Sequence, residues 1–282
     1  RRSGSSSSAS PLPSGPSRPR RPNHRGRHWA PRSCHGSVCM CERPPSATPQ
    51  ADQNSDAAGR KPTSGFPSYN TAPLPPDATG MSSNATQLAA KINLGWNLGN
   101  SLEAIGGETA WGNPAVTKAL IRKVKLSGFN AVRIPVAWEQ YMANSTTAQL
   151  QLTWLNRVKE VVQYCIDNGM YVIINVHWDG GWLEENCIPR KQTSVNAMQK
   201  AFWEQIATHF RSFDEHLLFA SANEPNVSDA TQMTVLNSYH QTFINAVRST
   251  GGKNSYRVLV IQGPSTDIQK TYDLMNTLPT DQ

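Results

Sequence analysis

The chain has 282 residues, 38% of them hydrophobic and 17% charged, with a formal net charge of +7. That is room for one large domain or two small ones. The charge is concentrated at one end: residues 1–61 hold ten Arg and one Lys against Glu42, Asp52 and Asp56, a net of +8, so the rest sums to −1. A body of that balance argues against a nucleic-acid partner, and no apolar stretch reaches the roughly 18 residues of a transmembrane helix, so no membrane partner is expected either.

Fourteen of the 20 prolines lie before residue 77. Segments such as SGSSSSAS and PLPSGPSRPRRP cannot bury enough apolar surface to offset the entropy of ordering. Residues 1–76 are therefore expected to form a disordered, dispensable tail or leader, with the domain over 77–282. A nucleic-acid arm is the competing reading of the tail, but Trp29 alone interleaves its arginines. Cys34, Cys39 and Cys41 cluster with His35 in SCHGSVCMC, which is half of a zinc pattern without its second half, so no metal is expected. The charged N-terminus has no apolar segment behind it, as a secretory signal would.

From residue 77 the composition changes. KINLGWNLG, 91–99, predicts a first strand. PAVTKALIRKVKLSG, 114–128, has helical apolar spacing with Pro at its start and Gly at its end. FNAVRIPV, 129–136, is a second strand, and TWLNRVKEVVQYCIDNG, 153–169, a second helix. MYVIINVHW, 170–178, is a third strand, and 195–210 a third helix. Leu217 to Ala222 is a fourth strand, closed by Asn223, Glu224 and Pro225. Residues 231–252 form a long helix with a Gly pair behind it, YRVLVIQG, 256–263, a fifth strand, and 267–275 a further helix.

Continuous apolar strands alternating with amphipathic helices predict an α/β protein with a parallel sheet covered on both faces. An open doubly wound sheet should carry a Gly-rich phosphate loop after its first strand; GWNLGN is not one. The strands instead end in polar groups: Asn97, Arg133, His177, then Asn223 and Glu224. Side chains gathered at C-terminal strand ends are the active-site arrangement of a (β/α)8 TIM barrel. A complete barrel takes about 250 residues. Residues 91–282 supply 192 and five β/α units, so the reading is of a barrel interrupted after about five.

A carboxylate and an amide projecting from one strand end suit glycoside cleavage. An acid protonates the leaving oxygen, a second carboxylate attacks the anomeric carbon or activates water, and an amide bonds a sugar hydroxyl. Other readings exist for each residue alone: Asn-Glu-Pro is also a helix-start pattern, Arg133 an ion pair, His177 a core histidine. Trp96, Trp111, Trp138, Trp178 and Trp182 gather at strand ends and in the loops after them, where exposed ones would make stacking platforms for sugar rings.

Together GWNLGNSLEA, GFNAVRIPVAW, VIINVHW and FASANEPN, in this order, resemble glycoside hydrolase family 5, the cellulase family. The resemblance covers roughly residues 80–282. It implies a retaining endo-β-1,4-glucanase without metal or cofactor, acting on cellulose, mixed-linkage glucan or xyloglucan, monomeric and extracellular. It makes Glu224 the general acid/base, has Asn223 bind the sugar 2-hydroxyl, and places Asn97, Arg133, His177 and Trp178 in the substrate site. Trp178 stands where many relatives carry a second His. The family's nucleophile is a Glu at the end of the seventh strand, and no Glu follows Glu224 in this sequence. Glu103, Glu139, Asp179, Glu184, Glu185 and Asp267 are the other rim carboxyls, but facing geometry calls for a strand further round the ring. The partner is expected beyond residue 282. A fragment that binds carbohydrate without cleaving it is the alternative reading.

Overall fold

The computed structural model describes residues 65–281; the expected tail disorder of residues 1–64 and the cluster of Cys34, His35, Cys39 and Cys41 lie outside the described residues. Fifteen helices and strands, besides short 3-10 turns, follow one another along the described chain.

The first segments form the base of the body. Strand β1, Leu74–Pro76, pairs in parallel with β8, Gly251–Gly252. Residues 65–76, grouped with the tail by composition, are thus part of the body. Ser68 Oγ and the Tyr69 N–H also donate to the buried Glu204 carboxylate, at 3.0 and 2.7 Å. Helix α1, Ala85–Lys91, opens with a capping box in which Asn84 and Gln87 exchange bonds.

Five strands then form one parallel sheet, in the order β2-β3-β6-β7-β9: β2 Gly95–Asn97, β3 Ala131–Ile134, β6 Tyr171–Asn175, β7 Leu217–Ala220 and β9 Leu259–Val260. Each strand pairs with the next one in sequence. A doubly wound sheet would reverse its order at a switch point; strict sequential order is that of a barrel wall. Helix α2, Lys118–Leu126, links β2 to β3. Between β3 and β6 lie the small antiparallel pair β4, Met142–Asn144, and β5, Gln149–Leu150, and helix α3, Leu152–Ile166. Helix α4, Pro189–Phe210, precedes β7, α5, Ala230–Ser249, follows it, and α6, Ile268–Leu274, comes after β9.

The helices pack one face against the sheet. Val158, Val161, Val162 and Cys165 of α3, Phe202, Trp203 and Ile206 of α4, and Tyr239, Phe243 and Val247 of α5 are buried with Val132, Ile134, Val172, Ile174 and Phe219. Trp203 lies edge-on to Phe243 with ring centroids 4.6 Å apart.

Boundaries differ from the sequence expectation for local reasons. Helix α2 starts at Lys118 rather than Pro114 because the Thr117 side chain caps it, accepting from Leu120 N–H. Helix α4 begins six residues earlier than expected, with Pro189 in its first turn. The long helix after β7 stops at Ser249, and the two glycines behind it, with φ of 68° and 59°, turn the chain into β8. The fifth strand is only Leu259–Val260; it starts late because Arg257 turns into the core, where it donates to the carbonyls of Asp214, Leu217 and Phe213.

Candidate active site

Every strand of the sheet delivers a polar residue to the same rim. Asn97 is the last residue of β2 and lies in register with Arg133 of β3. His177 follows β6 by two residues, Asn223 and Glu224 follow β7 by three and four, and Gln262 follows β9 by two. All six border one cavity of about 600 Å³, with Trp178 and the carboxylates of Glu103 and Glu184. The structure brings together every site residue read from the sequence.

Arg133 is the hub. One guanidinium nitrogen donates to Asn97 Oδ1 at 2.8 Å and another to Asn223 Oδ1 at 2.5 Å. Burial disfavours its charge, and the carboxylates of Glu103, Glu224 and Glu184 oppose that by attraction. Glu103 is held by the loop after β2: its oxygens accept the N–H groups of Asn100 and Ser101 at 2.5 and 2.9 Å. Asn100, at φ 58°, takes the left-handed turn this requires.

His177 sits where burial and then the Arg133 charge push its pKa down to about 3, so the ring is neutral. Asn175 orients it. Asn175 Oδ1 accepts from Val136 N–H at 3.2 Å, so its amide nitrogen is the atom 3.5 Å from His177 Nδ1. A nitrogen donor there makes Nδ1 the acceptor and puts the ring proton on Nε2, available for a ligand.

Behind β7 runs a buried relay. The Gln262 carbonyl can only accept, so His240 Nε2, 3.1 Å away, carries the proton, and His240 Nδ1 accepts from Ser221 Oγ at 2.7 Å. Gln262 Oε1 accepts the Ala222 N–H at 3.0 Å. These contacts fix the chain just before Asn223.

Glu224 is exposed and borders the cavity, with no hydrogen-bond partner for its carboxylate among the described residues, while Asn223 is buried. Glu184, only 5% exposed, accepts the Glu224 N–H at 2.9 Å. Burial pushes its carboxyl up, opposed by the bonds from the Glu224 N–H and the Asn223 side chain. Its bonding role was not legible in the sequence, where Glu184 is one rim carboxyl among six. Asp179 is structural: it is 2% exposed at φ 46° and accepts the N–H groups of Trp138 and Glu139 at 2.6 and 2.5 Å. Of the tryptophans, Trp138 and Trp182 are buried core, Trp96 packs against the core, and Trp111 and Trp178 are 46% and 38% exposed.

A sequential parallel sheet with an amide–guanidinium–carboxylate cluster at its C-terminal rim is the scaffold of a barrel hydrolase. The sequence profile of the cellulase family, glycosyl hydrolase family 5, matches residues 97–282, and the chain belongs to that family. Xyloglucan-specific endo-beta-1,4-glucanase BoGH5A of Bacteroides ovatus is 40% identical over 214 residues, covering 70% of this chain and 42% of that protein. Endoglucanase A of Paenibacillus barcinonensis is 38% identical over 224 residues, covering 74% and 55%. Among solved structures, the Bacteroides ovatus GH5 xyloglucanase in complex with a XXXG heptasaccharide superposes with a TM-score of 0.72 at 38% identity, covering 77% of this chain and 50% of that one. A GH5-4 broad specificity endoglucanase from Ruminococcus champanellensis with bound cellotriose gives 0.67 at 42% identity, covering 71% and 63%. The chain thus spans about half the length of these relatives.

Proposed function

We propose that the cavity is the acid/base side of a retaining endo-β-1,4-glucanase cleft, with Glu224 as the general acid and base. The observation that carries this is the placement of Glu224: an exposed carboxylate beside a buried amide that Arg133 holds by its oxygen. Glu224 donates a proton to the leaving glycosidic oxygen, then takes one from the water that releases the sugar. Asn223, with its oxygen occupied by Arg133, turns N–H toward a sugar hydroxyl. Neutral His177 offers Nε2–H to the same substrate, and Trp178 a stacking face.

A retaining glycosidase needs a second carboxylate about 5 to 5.5 Å from the first. Glu103 bonds backbone N–H groups of its own loop and Glu184 the Glu224 N–H of the neighbouring one, and Asp179 is walled into the loop after β6. We assign the nucleophile to a residue outside 1–282. The substrate is a β-1,4-glucan; the names of the relatives support either a plain or a xylose-branched chain. The enzyme works as a monomer outside the cell, without metal or cofactor.

The test is Glu224→Gln in a form of the protein that cleaves glucan. Hydrolysis of carboxymethylcellulose should fall by about 10²- to 10⁴-fold while oligosaccharide binding persists. A fall of less than about tenfold would remove Glu224 from the role. A parent that neither binds nor cleaves β-1,4-glucan would end the whole reading.

A further inference from the structure

We propose that Glu184 is a positioning residue for the acid/base, clamping the Asn223–Glu224 peptide from the neighbouring loop. The proposal rests on the acid/base role of Glu224 given above.

Strand β7 ends at Ala220, four residues before Glu224. The sheet therefore does not hold Glu224. Ser221 N–H still reaches the Val260 carbonyl at 3.0 Å, and Ala222 N–H the Gln262 side chain. Beyond Pro225, Ser265 N–H donates to the Pro225 carbonyl at 2.8 Å. Between these two anchors the chain is fixed from the side by Glu184. Its Oε1 takes the Glu224 N–H at 2.9 Å, and its backbone carbonyl takes the Asn226 N–H at 3.0 Å. One residue from the loop after β6 thus binds the chain on both sides of Pro225.

The chemistry favours a charged acceptor there. A carboxylate presents two oxygens and no proton, so it accepts the Glu224 N–H with no donor of its own to compete. Bonds to an ionised acceptor are shorter and stiffer than neutral ones. With Arg133 on the Asn223 oxygen and Glu184 on the Glu224 N–H, the Asn223–Glu224 peptide is held from both sides. A catalytic group misplaced by about 1 Å can lose about a hundredfold in rate. Glu184 is 5% exposed and its Oε1 already holds the Glu224 N–H, whereas Glu224 is exposed to the cavity.

The groups facing Glu184 are the Glu224 and Glu185 carboxyls, the Cys187 thiol and, across the cavity, Arg133. The experiment follows the Glu224 amide proton by NMR in the labelled 282-residue chain. It should lie downfield and move upfield as Glu184 is protonated, above the usual carboxylate range. The titration should persist in Glu224→Gln and vanish in Glu184→Gln. Loss in Glu224→Gln would place the proton on Glu224 and overturn the clamp, whether or not the second variant folds; survival in Glu184→Gln would overturn it equally. In a glucan-cleaving form, Glu184→Gln should lower kcat/KM about tenfold on a substrate with a poor leaving group and stay within about twofold on an aryl glycoside with a good one. Equal losses on both would reduce Glu184 to a structural brace and refute the positioning role. A parent that neither binds nor cleaves β-1,4-glucan would sink the acid/base reading, yet leave the amide titration able to uphold or refute the clamp.

Discussion

At Asn223 the side-chain amide has no freedom to turn over. Arg133 can only donate, so the amide oxygen faces it and the nitrogen points the other way. Replacement of one atom tests this. Asn223→Asp keeps the contact with Arg133 but sets two carboxylates against each other across a buried gap. The new charge raises the pKa of Glu184, already pushed up by burial, further above its unfolded value, so the variant is destabilised at neutral pH and relieved as pH falls. The melting-temperature gap between variant and parent should narrow from pH 7 to pH 5; a constant gap would mean that Glu184 does not face the site. Arg133, His177, Asn223 and Glu224 were legible because the reactive groups sit where apolar strands stop, and that sequence signal is local. Glu184 was not legible as a clamp, because its partners lie on the next β/α loop and no spacing in the chain announces them.

At the scale of the element, the strands read well in their apolar centres and poorly at their ends. Val172 and Ile174 are fully buried, and that burial shows as an unbroken apolar run. Where β9 begins depends on Arg257 turning inward, a tertiary event with no local pattern. Strand β1 was illegible for another reason: Leu-Pro-Pro is a poor strand by composition, and it pairs only because two glycines come to meet it. At Gly251 an added Cβ would lie 1.8 Å from the Leu74 carbonyl oxygen, and φ is 68°. Gly251→Ala should therefore cost about 1–3 kcal/mol from the backbone conformation alone, seen in denaturant titration, and should expose residues 65–76 to protease. An unchanged midpoint would show that the pairing contributes nothing. Near α1, Glu215 gathers Lys91 Nζ at 2.7 Å and the N–H groups of Ser82 and Ser83 at 2.8 Å. Burial pulls its pKa upward, but these donors outweigh burial and hold it at about 2. A depressed carboxylate pKa stabilises the fold above its unfolded value and loses that contribution as pH falls through the folded one. Thermal stability should decline between about pH 4.5 and 2, and Glu215→Gln should flatten that part of the decline. An identical acid profile in the variant would assign the loss elsewhere.

For the whole molecule, the expectation follows from how its carboxylates are engaged. Expressed by itself, the 282-residue chain should bind cello-oligosaccharides, followed through tryptophan fluorescence at Trp178, and release no reducing sugar from carboxymethylcellulose. Hydrolysis that disappears with Asp179→Asn would overturn the assignment of the nucleophile and turn a buried loop acceptor into a catalytic group. The barrel class itself was legible from the alternation of strands and helices and from their polar endings. Its strict winding was visible only once the strand order was known.

The pairing of β1 with β8 joins the first strand of the described body to one near its far end. On a ribosome, Leu74 emerges well before its partner at Gly251 exists. The earliest part of the body to be made must therefore wait, unattached along that edge, until α5 has been synthesised and packed. Release of the base from this waiting state is a late step by construction, and any refolding intermediate with β6 and β7 already protected should still exchange freely the amide hydrogens of Leu74 and Asp77, which in the folded protein bond the carbonyls of Thr250 and Gly252.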